Sequence, residues 1–220
     1  RICVVEVEGR RNLAPSCSTE CQNGMVVRTN TPRVMNARRT LMEFILSDHP
    51  KDCLTCPKSG TCDLQDMAVR LGVREIPNED IAEVSTYKFD SSPAIIRDID
   101  KCIMCRRCET MCNDVQTVGA LSAINRGFES VVTPAFEMNL EASPCTYCGQ
   151  CVAVCPTAAL TEKDYTADVI RALSDPKKTV VVQTAPAVRA ALGEEFGMEA
   201  GSLVTGKMVS ALRRLGFDKV

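Results

Sequence analysis

The chain has 220 residues, with 26 lysines and arginines against 28 aspartates and glutamates, one histidine, no tryptophan and fourteen cysteines. A formal charge of −2 gives no electrostatic ground for a nucleic acid or an anionic membrane as partner, and 4% aromatic residues offer no base-stacking surface. No apolar run reaches the roughly 18 residues of a membrane span, so no direct membrane insertion is expected. The chain starts Arg1-Ile2-Cys3 without a methionine and ends LRRLGFDKV, which reads as a helix and the first residues of a strand. Both ends predict a piece of a longer polypeptide.

In chain order, apolar and polar residues alternate through Val4–Glu8 and again through Met25–Arg28, predicting two short strands with a turn at Asn23-Gly24. The next stretch, TPRVMNARRTLMEFILSD, places Val34, Ala37, Leu41, Phe44 and Ile45 at helical spacing, with Thr31 as cap and Pro32 in the first turn. His49 falls just past this helix, before Pro50, on a loop. Together with Cys53, Cys56 and Cys62 it forms H-x3-C-x2-C-x5-C. A second short helix is predicted from Cys62 to Leu71, stopped near Gly72. On its own, this set of three cysteines and one histidine suits structural zinc or an iron–sulfur cluster.

The strongest signal is an internal repeat. Residues 102–112 read CIMCRRCETMC and residues 145–155 read CTYCGQCVAVC, both C-x2-C-x2-C-x3-C, with a period of 43 from Cys102 to Cys145. Three thiolates spaced by three along a loop can wrap three corners of a cubane, while the fourth is expected at the start of a helix, pointing away. In two-cluster ferredoxins that fourth cysteine ligates the other cluster. One [4Fe–4S] cluster is therefore assigned to Cys102, Cys105, Cys108 and Cys155, and a second to Cys145, Cys148, Cys151 and Cys112. Zinc sites favour two separated C-x2-C pairs, and cysteines this close on a tight loop pair poorly as disulfides. Asn113 follows Cys112 where Pro156 follows Cys155, and Arg106 stands where the second motif has Gly149. Beyond Cys155 the pattern predicts a helix (Asp164–Leu173), a buried strand (Thr179–Gln183), and helix-like segments in APAVRAALGEEFGM and VTGKMVSALRRLGFDKV.

Several of these stretches resemble known families. H-x3-C-x2-C-x5-C looks like the His-ligated [4Fe–4S] module shared by iron-only hydrogenases and the large iron–sulfur subunit of NADH:quinone oxidoreductase. That resemblance makes His49, Cys53, Cys56 and Cys62 the ligands of a third cubane. Residues 1–31 resemble the C-terminal half of the plant-type [2Fe–2S] domain of the same enzymes, which makes Cys3 and Cys17 two of four ligands. Cys21 matches no family position and is read as a free thiol. The segment TAPAVRAALGEEFG, continued by VTGKMVSALRRLGFDKV, resembles the opening of the [FeFe]-hydrogenase catalytic domain. In that family an A-P-x-V-R segment approaches the active-site cluster, corresponding to Ala185, Pro186, Val188 and Arg189. A serine is common there at the position of Ala187. The catalytic-cluster cysteines come later in the family and are absent from these 220 residues.

These readings predict a modular α+β iron–sulfur protein: a partial β-grasp [2Fe–2S] domain (1–31), a small helical His-ligated domain (32–90), a two-cluster ferredoxin-like domain (91–165) and the start of an α/β catalytic domain (166–220). The implied function is the electron relay of an [FeFe]-hydrogenase subunit, with three [4Fe–4S] clusters, one [2Fe–2S] cluster and a di-iron catalytic cluster in the full-length protein. The implied partners are ferredoxin or a flavin-containing NAD(P)H-oxidising subunit within a cytoplasmic multi-subunit complex. The alternative is an electron-transfer subunit of an NADH:quinone-oxidoreductase-like complex.

Overall fold

The computed structural model of the chain describes residues 2–76 and 90–220. The first expected strand is β1 (Val4–Val7), which buries Val5 and Val7 against Ala14 and Met25. It lies between β2 (Ala14–Pro15) and β3 (Val27–Arg28) and runs antiparallel to both. β3 is shorter than the predicted Met25–Arg28, and β2 has too few residues to show any alternation.

The predicted helix is α1 (Pro32–Ser47). Thr31 Oγ1 accepts a hydrogen bond from the Val34 amide at 3.3 Å and donates to Glu6 Oε2 at 2.7 Å. One hydroxyl thus caps the helix and pins it to the outward-facing residue of β1. Arg38 adds a bond from Nη2 to the Val4 carbonyl at 2.9 Å. The buried line of α1 runs through Val34 and Met42, flanked by Met35, Ile45 and Leu46; Val34 and Ile45 of the expected face pack inward, and Phe44 does not. Phe44 is 54% exposed and, with Leu41, borders an open groove beside Cys102 and Met104.

α2 (Asp63–Arg70) packs with α1 around Met42, Cys62, Leu64 and Leu71. Its acidic first turn and basic last turn complement the helix dipole. The helix stops where expected: Gly72, at φ +65°, donates to Val69 O, and Val73 donates to Ala68 O, both at 3.0 Å. The expected His-ligated domain, 32–90, includes residues 77–89, which lie outside the described residues.

The repeat region is framed by two small antiparallel sheets. β5 (Ile95–Arg97) lies between β4 (Asp90–Ser91) and β8 (Leu160–Glu162), and β6 (Ser122–Ile124) pairs with β7 (Val131–Thr133). The register Arg97↔Leu160 joins the start of the first repeat to the end of the second. Between the sheets stand α3 (Arg107–Thr110), continued by a π turn over Met111–Val115, and α4 (Gln150–Ala153). Their shared core is Ile95, Leu121, Val132, Leu140, Ala159 and Leu160 together with Cys151 and Cys155.

The fourth cysteine of each motif does not start a helix. Cys112 lies in the π turn that extends α3, and Cys155 follows the end of α4. Each helix begins just before the third cysteine, because Arg106 (φ 62°) and Gly149 (φ 74°) take left-handed backbone and turn the chain there.

Residues Arg1–Lys163 form one compact unit and Asp164–Val220 a second. The second unit holds α5 (Thr166–Leu173), α6 (Pro186–Glu195) and α7 (Thr205–Arg214). α5 starts later than the predicted Asp164, whose Oδ1 accepts from the Thr166 amide at 2.8 Å as a cap. The buried strand expected over Thr179–Gln183 is a single parallel bridge, Val181↔Lys219, with Val181 64% exposed. One bridge with bonds from Val182 to Lys219 O and from Asp218 to Val180 O is the only ladder the described residues supply here. Among the described residues no helix is long and apolar enough to cross a membrane.

Candidate metal centres

The two repeats adopt the same backbone. Met104 (φ 52°) and Tyr147 (φ 54°) occupy equivalent left-handed positions, and so do Arg106 and Gly149. These bends aim amides at sulfur: Met104 N–H donates to Cys102 Sγ and Tyr147 N–H to Cys145 Sγ, each at 3.4 Å. Ala120 N–H likewise donates to Cys112 Sγ at 3.3 Å. Such donors favour the thiolate and so suit a metal ligand. The middle cysteine of each motif, Cys105 and Cys148, is the exposed one.

The eight thiols surround two cavities. One is lined by Cys102, Cys105, Cys108 and Cys155, the other by Cys112, Cys145, Cys148 and Cys151. They span about 490 and 350 Å³ of space free of protein atoms, part of it open to solvent. Each cavity thus takes three cysteines from one motif and the fourth from the other. Leu121, 2% exposed, lines both and forms a common wall.

The electrostatics follow the two sets closely, with one crossing influence, that of Cys151 on Cys108. Burial pushes the Cys108 thiol up to about 12, with Cys102, Cys105 and Cys155 adding like-charge repulsion. Burial pushes Cys151, one repeat later, to about 11, with Cys145, Cys148 and Cys112 as raising neighbours. Cys102 is also raised, first by burial. Four thiols crowded around one cavity, several of them buried, cannot all ionise without a counter-charge, and the iron of a cluster would supply one. Among the described residues no three His, Cys, Asp or Glu side chains converge as ligands of one ion would. In a cubane each cysteine ligates a different iron, so its thiols surround a volume instead of meeting at a point.

His49 sits in the loop after α1, its amide bonded to Leu46 O at 3.3 Å. Its Nδ1 is buried and has no hydrogen-bond partner among the described residues. Burial lowers its pKa, Asp52 and Asp98 oppose this, and Lys101 adds to it. A neutral imidazole with an unclaimed buried nitrogen fits a metal ligand. Cys53 and Cys56 stand on consecutive turns, Cys56 N–H bonding to Cys53 O at 3.3 Å, and Cys62 caps α2.

This loop is fastened to the first cavity by residues adjacent to its cysteines. Cys62 Sγ lies 3.7 Å from Pro156 O, and the Asp63 amide donates to the same carbonyl at 3.1 Å. Pro156 lines the first cavity. Lys101 Nζ sits 3.0 Å from Asp52 Oδ2 and 3.1 Å from Asp98 Oδ2. Arg107 Nη1 meets Asp63 Oδ2 at 3.2 Å.

At the N-terminal end, β1–β2 pairing sets Cys3 Sγ 3.3 Å from Cys17 Sγ, helped by a bond from the Ser16 amide to Cys3 O at 3.1 Å. The Cys17 hydrogen bond lowers the Cys3 pKa. Cys21 is exposed. In the second unit, Ala185 caps α6 and Pro186 opens it, both exposed. Sequence reasoning missed Arg97, Lys101, Asp52 and Leu121, and noted Pro156 only as the residue after Cys155. No local spacing marks them, because each acts through a partner distant in the chain.

Comparisons with known proteins follow the same order along the chain. Residues 1–32 match a 2Fe-2S iron-sulfur cluster binding domain and residues 38–77 the NADH-ubiquinone oxidoreductase-G iron-sulfur binding region. Residues 99–159 match a 4Fe-4S dicluster domain, and 178–220 the C-terminal domain of the iron only hydrogenase large subunit. The chain is 66% identical over all its 220 residues to the NADP-reducing hydrogenase subunit HndD of Solidesulfovibrio fructosivorans, of which it spans 37%. It is 34% identical over 219 residues to iron hydrogenase 1 of Clostridium pasteurianum, spanning 38% of that protein. An NADH-quinone oxidoreductase subunit of Rhizobium meliloti is 42% identical, but over 166 residues, 75% of this chain and 19% of that protein. Among solved structures, an NAD+-reducing [NiFe]-hydrogenase in the H2-reduced state is similar with a TM-score of 0.66 and 27% identity, over 74% of this chain and 68% of that one.

Proposed function

This chain belongs with the iron-only hydrogenase large subunits, and we propose that it forms their electron relay, carrying electrons to or from a catalytic di-iron cluster for reversible hydrogen oxidation. The observation that carries the proposal is the sorting of eight cysteines into two cavities with one common wall. The hydrogenase reading is favoured over the quinone-oxidoreductase alternative because the hydrogenase relatives match along the whole chain. Residues 178–220 also match the hydrogenase C-terminal domain.

In this reading Cys102, Cys105, Cys108 and Cys155 hold one [4Fe–4S] cluster, and Cys112, Cys145, Cys148 and Cys151 the next. His49, Cys53, Cys56 and Cys62 hold a third, and Cys3 and Cys17 half of a [2Fe–2S] site. Bound clusters supply one-electron transfers at potentials of about −700 to +450 mV, a range that includes the proton couple near −410 mV at pH 7 (~59 mV per pH unit).

The protein's own residues keep the route short. Cys62 and Pro156 abut between the His49 loop and the first cavity. Leu121, buried, stands in the partition between the cavities. Ile2, beside Cys3, packs on the same apolar cluster as Cys62, which brings the N-terminal site against the His49 loop. Lys101 and Arg107 hold that loop in register through Asp52 and Asp63. Electrons arrive from ferredoxin or a flavin-bearing NAD(P)H-oxidising subunit, within the domain division 1–31, 32–90, 91–165 and 166–220.

The test is electron paramagnetic resonance on the full-length subunit, with iron and sulfide analysis and a hydrogen-evolution assay. Three [4Fe–4S] signals, one [2Fe–2S] signal and hydrogen evolution are expected. A subunit that carries the relay clusters but neither evolves nor consumes hydrogen points to the quinone-oxidoreductase alternative. A colourless, zinc-loaded protein would refute the relay itself.

A further inference from the structure

The two cavities are built by one repeated backbone, so their differences can be read position by position. Arg97 and Arg106 line the first cavity. The residues 43 positions later, Leu140 and Gly149, line the second, whose wall contains no charged side chain among the described residues. Arg97 is 5% exposed. Its Nη1 donates to Thr133 Oγ1 at 2.8 Å, and its Nε lies 3.1 Å from Asp90 Oδ2. Asp90, 3% exposed, lines neither cavity, and its Oδ2 also accepts from the Leu140 amide at 3.1 Å. The ion pair is therefore polarised: its cation belongs to a wall residue of the first cavity, and its anion is bonded to Leu140, a wall residue of the second.

We propose that Arg97 sets the first cubane at a higher reduction potential than the second, so that an electron shared between them rests on the first. This rests on the cluster assignment proposed above. Reduction adds one negative charge to a cluster. A guanidinium in a dry wall stabilises that charge, and a carboxylate farther off cancels only part of the effect. The second cluster, facing Leu140, receives no such help. Arg106 lines the same cavity, but it is exposed and paired with Glu109 at 3.0 Å, so water screens it. Arg97 is thus a positioning residue for charge, and no bond is made or broken at it.

The experiment is a redox titration, followed by electron paramagnetic resonance, of the full-length subunit with its clusters installed. The first-cluster signal is identified as the one that Cys102→Ser alters. Arg97→Leu copies the second repeat and should shift the first cluster's reduced-to-oxidised ratio at least tenfold toward oxidised at fixed potential, 59 mV downward for one electron. Asp90→Asn should shift the same signal upward, and Arg97→Lys should leave it near the native value, with the second cluster unmoved in both Arg97 variants. A role in folding alone would not move the two charge variants in opposite directions. If Arg97→Leu does not load, the upward shift in Asp90→Asn decides the matter. Equal native potentials, an Arg97→Leu variant that shifts both signals together or neither, or an Asp90→Asn variant that leaves the first signal in place, overturn the proposal. Missing iron and sulfide in the native subunit would instead refute the cluster assignment.

Discussion

Lys101 offers a quantitative test of how the His49 loop is held to the repeat region. Its side chain is 11% exposed, and its ammonium touches Asp52 at 3.0 Å and Asp98 at 3.1 Å. Removing one partner of a fully buried pair costs about 3–5 kcal/mol, whereas exposed pairs couple by about 0–1 kcal/mol. Asp52 is 44% exposed, so the Lys101–Asp52 coupling should fall between these limits, at about 1–2 kcal/mol. The assay is a double-mutant cycle of Lys101→Met and Asp52→Asn, following loss of the visible iron–sulfur absorption in urea with an iron chelator present. If the loop must part from the repeat region before its cluster escapes, that coupling speeds the loss by about 5–30-fold. Burial lowers the Lys101 pKa, but the bonds to Asp52 and Asp98 outweigh it and leave the value raised from 10.5. The lysine's contribution is therefore full below its ordinary pKa and is lost only as pH rises through the raised one, leaving it constant from about pH 6 to 9. Effects that add to within about 0.3–0.5 kcal/mol would refute the tie.

Cys155→Ser should alter the same resonance signal as Cys102→Ser, and Cys112→Ser the same signal as Cys145→Ser. Pairing of Cys155 with Cys145 in this comparison would mean that the ligand sets do not cross. Thr31→Ala should lower stability by about 1 kcal/mol through the lost cap, with a further loss from the bond to Glu6, read as a drop in Tm. Arg106→Gly should raise the urea midpoint, since relief of left-handed backbone, about 1–2 kcal/mol, exceeds the exposed pair with Glu109, about 0.2–1 kcal/mol. Gly149→Ala should lower it.

The features legible in the sequence were local ones. The H-x3-C-x2-C-x5-C loop, the cap at Thr31 and the stop at Gly72 are each specified within a few residues. The repeat was legible because the same cysteine spacing occurs twice. The face of α1 was not, since Met35, Leu41, Met42, Phe44, Ile45 and Leu46 spread apolar surface around the helix and only packing with α2 chooses Met42. The direction of Cys112 and Cys155 relative to their helices depends on backbone at Arg106 and Gly149, and Arg106 gives no warning that it turns left-handed. Buried Arg97 and Asp90 look like ordinary surface charges until β4, β5 and β7 come together. The strand expected over Thr179–Gln183 came from a run of valines, but apolar β-branched residues mark a strand only when a neighbouring ladder exists.

The mixed lining of the first cavity also bears on how the chain is made. Cys102, Cys105 and Cys108 leave the ribosome well before Cys155, which completes their set. At about 5–20 residues per second, that interval lasts seconds. Until translation passes Cys151, neither cavity has its four thiols, because Cys112 waits for the second motif, and the first motif waits longer still, for Cys155. A metal delivery system that acted on the emerging chain would meet the His49 set whole but the two repeat sets only in part, so maturation of the repeat region must follow closure of β5 on β8. Stalled or truncated products ending before that strand would carry loose repeat thiols open to oxidation.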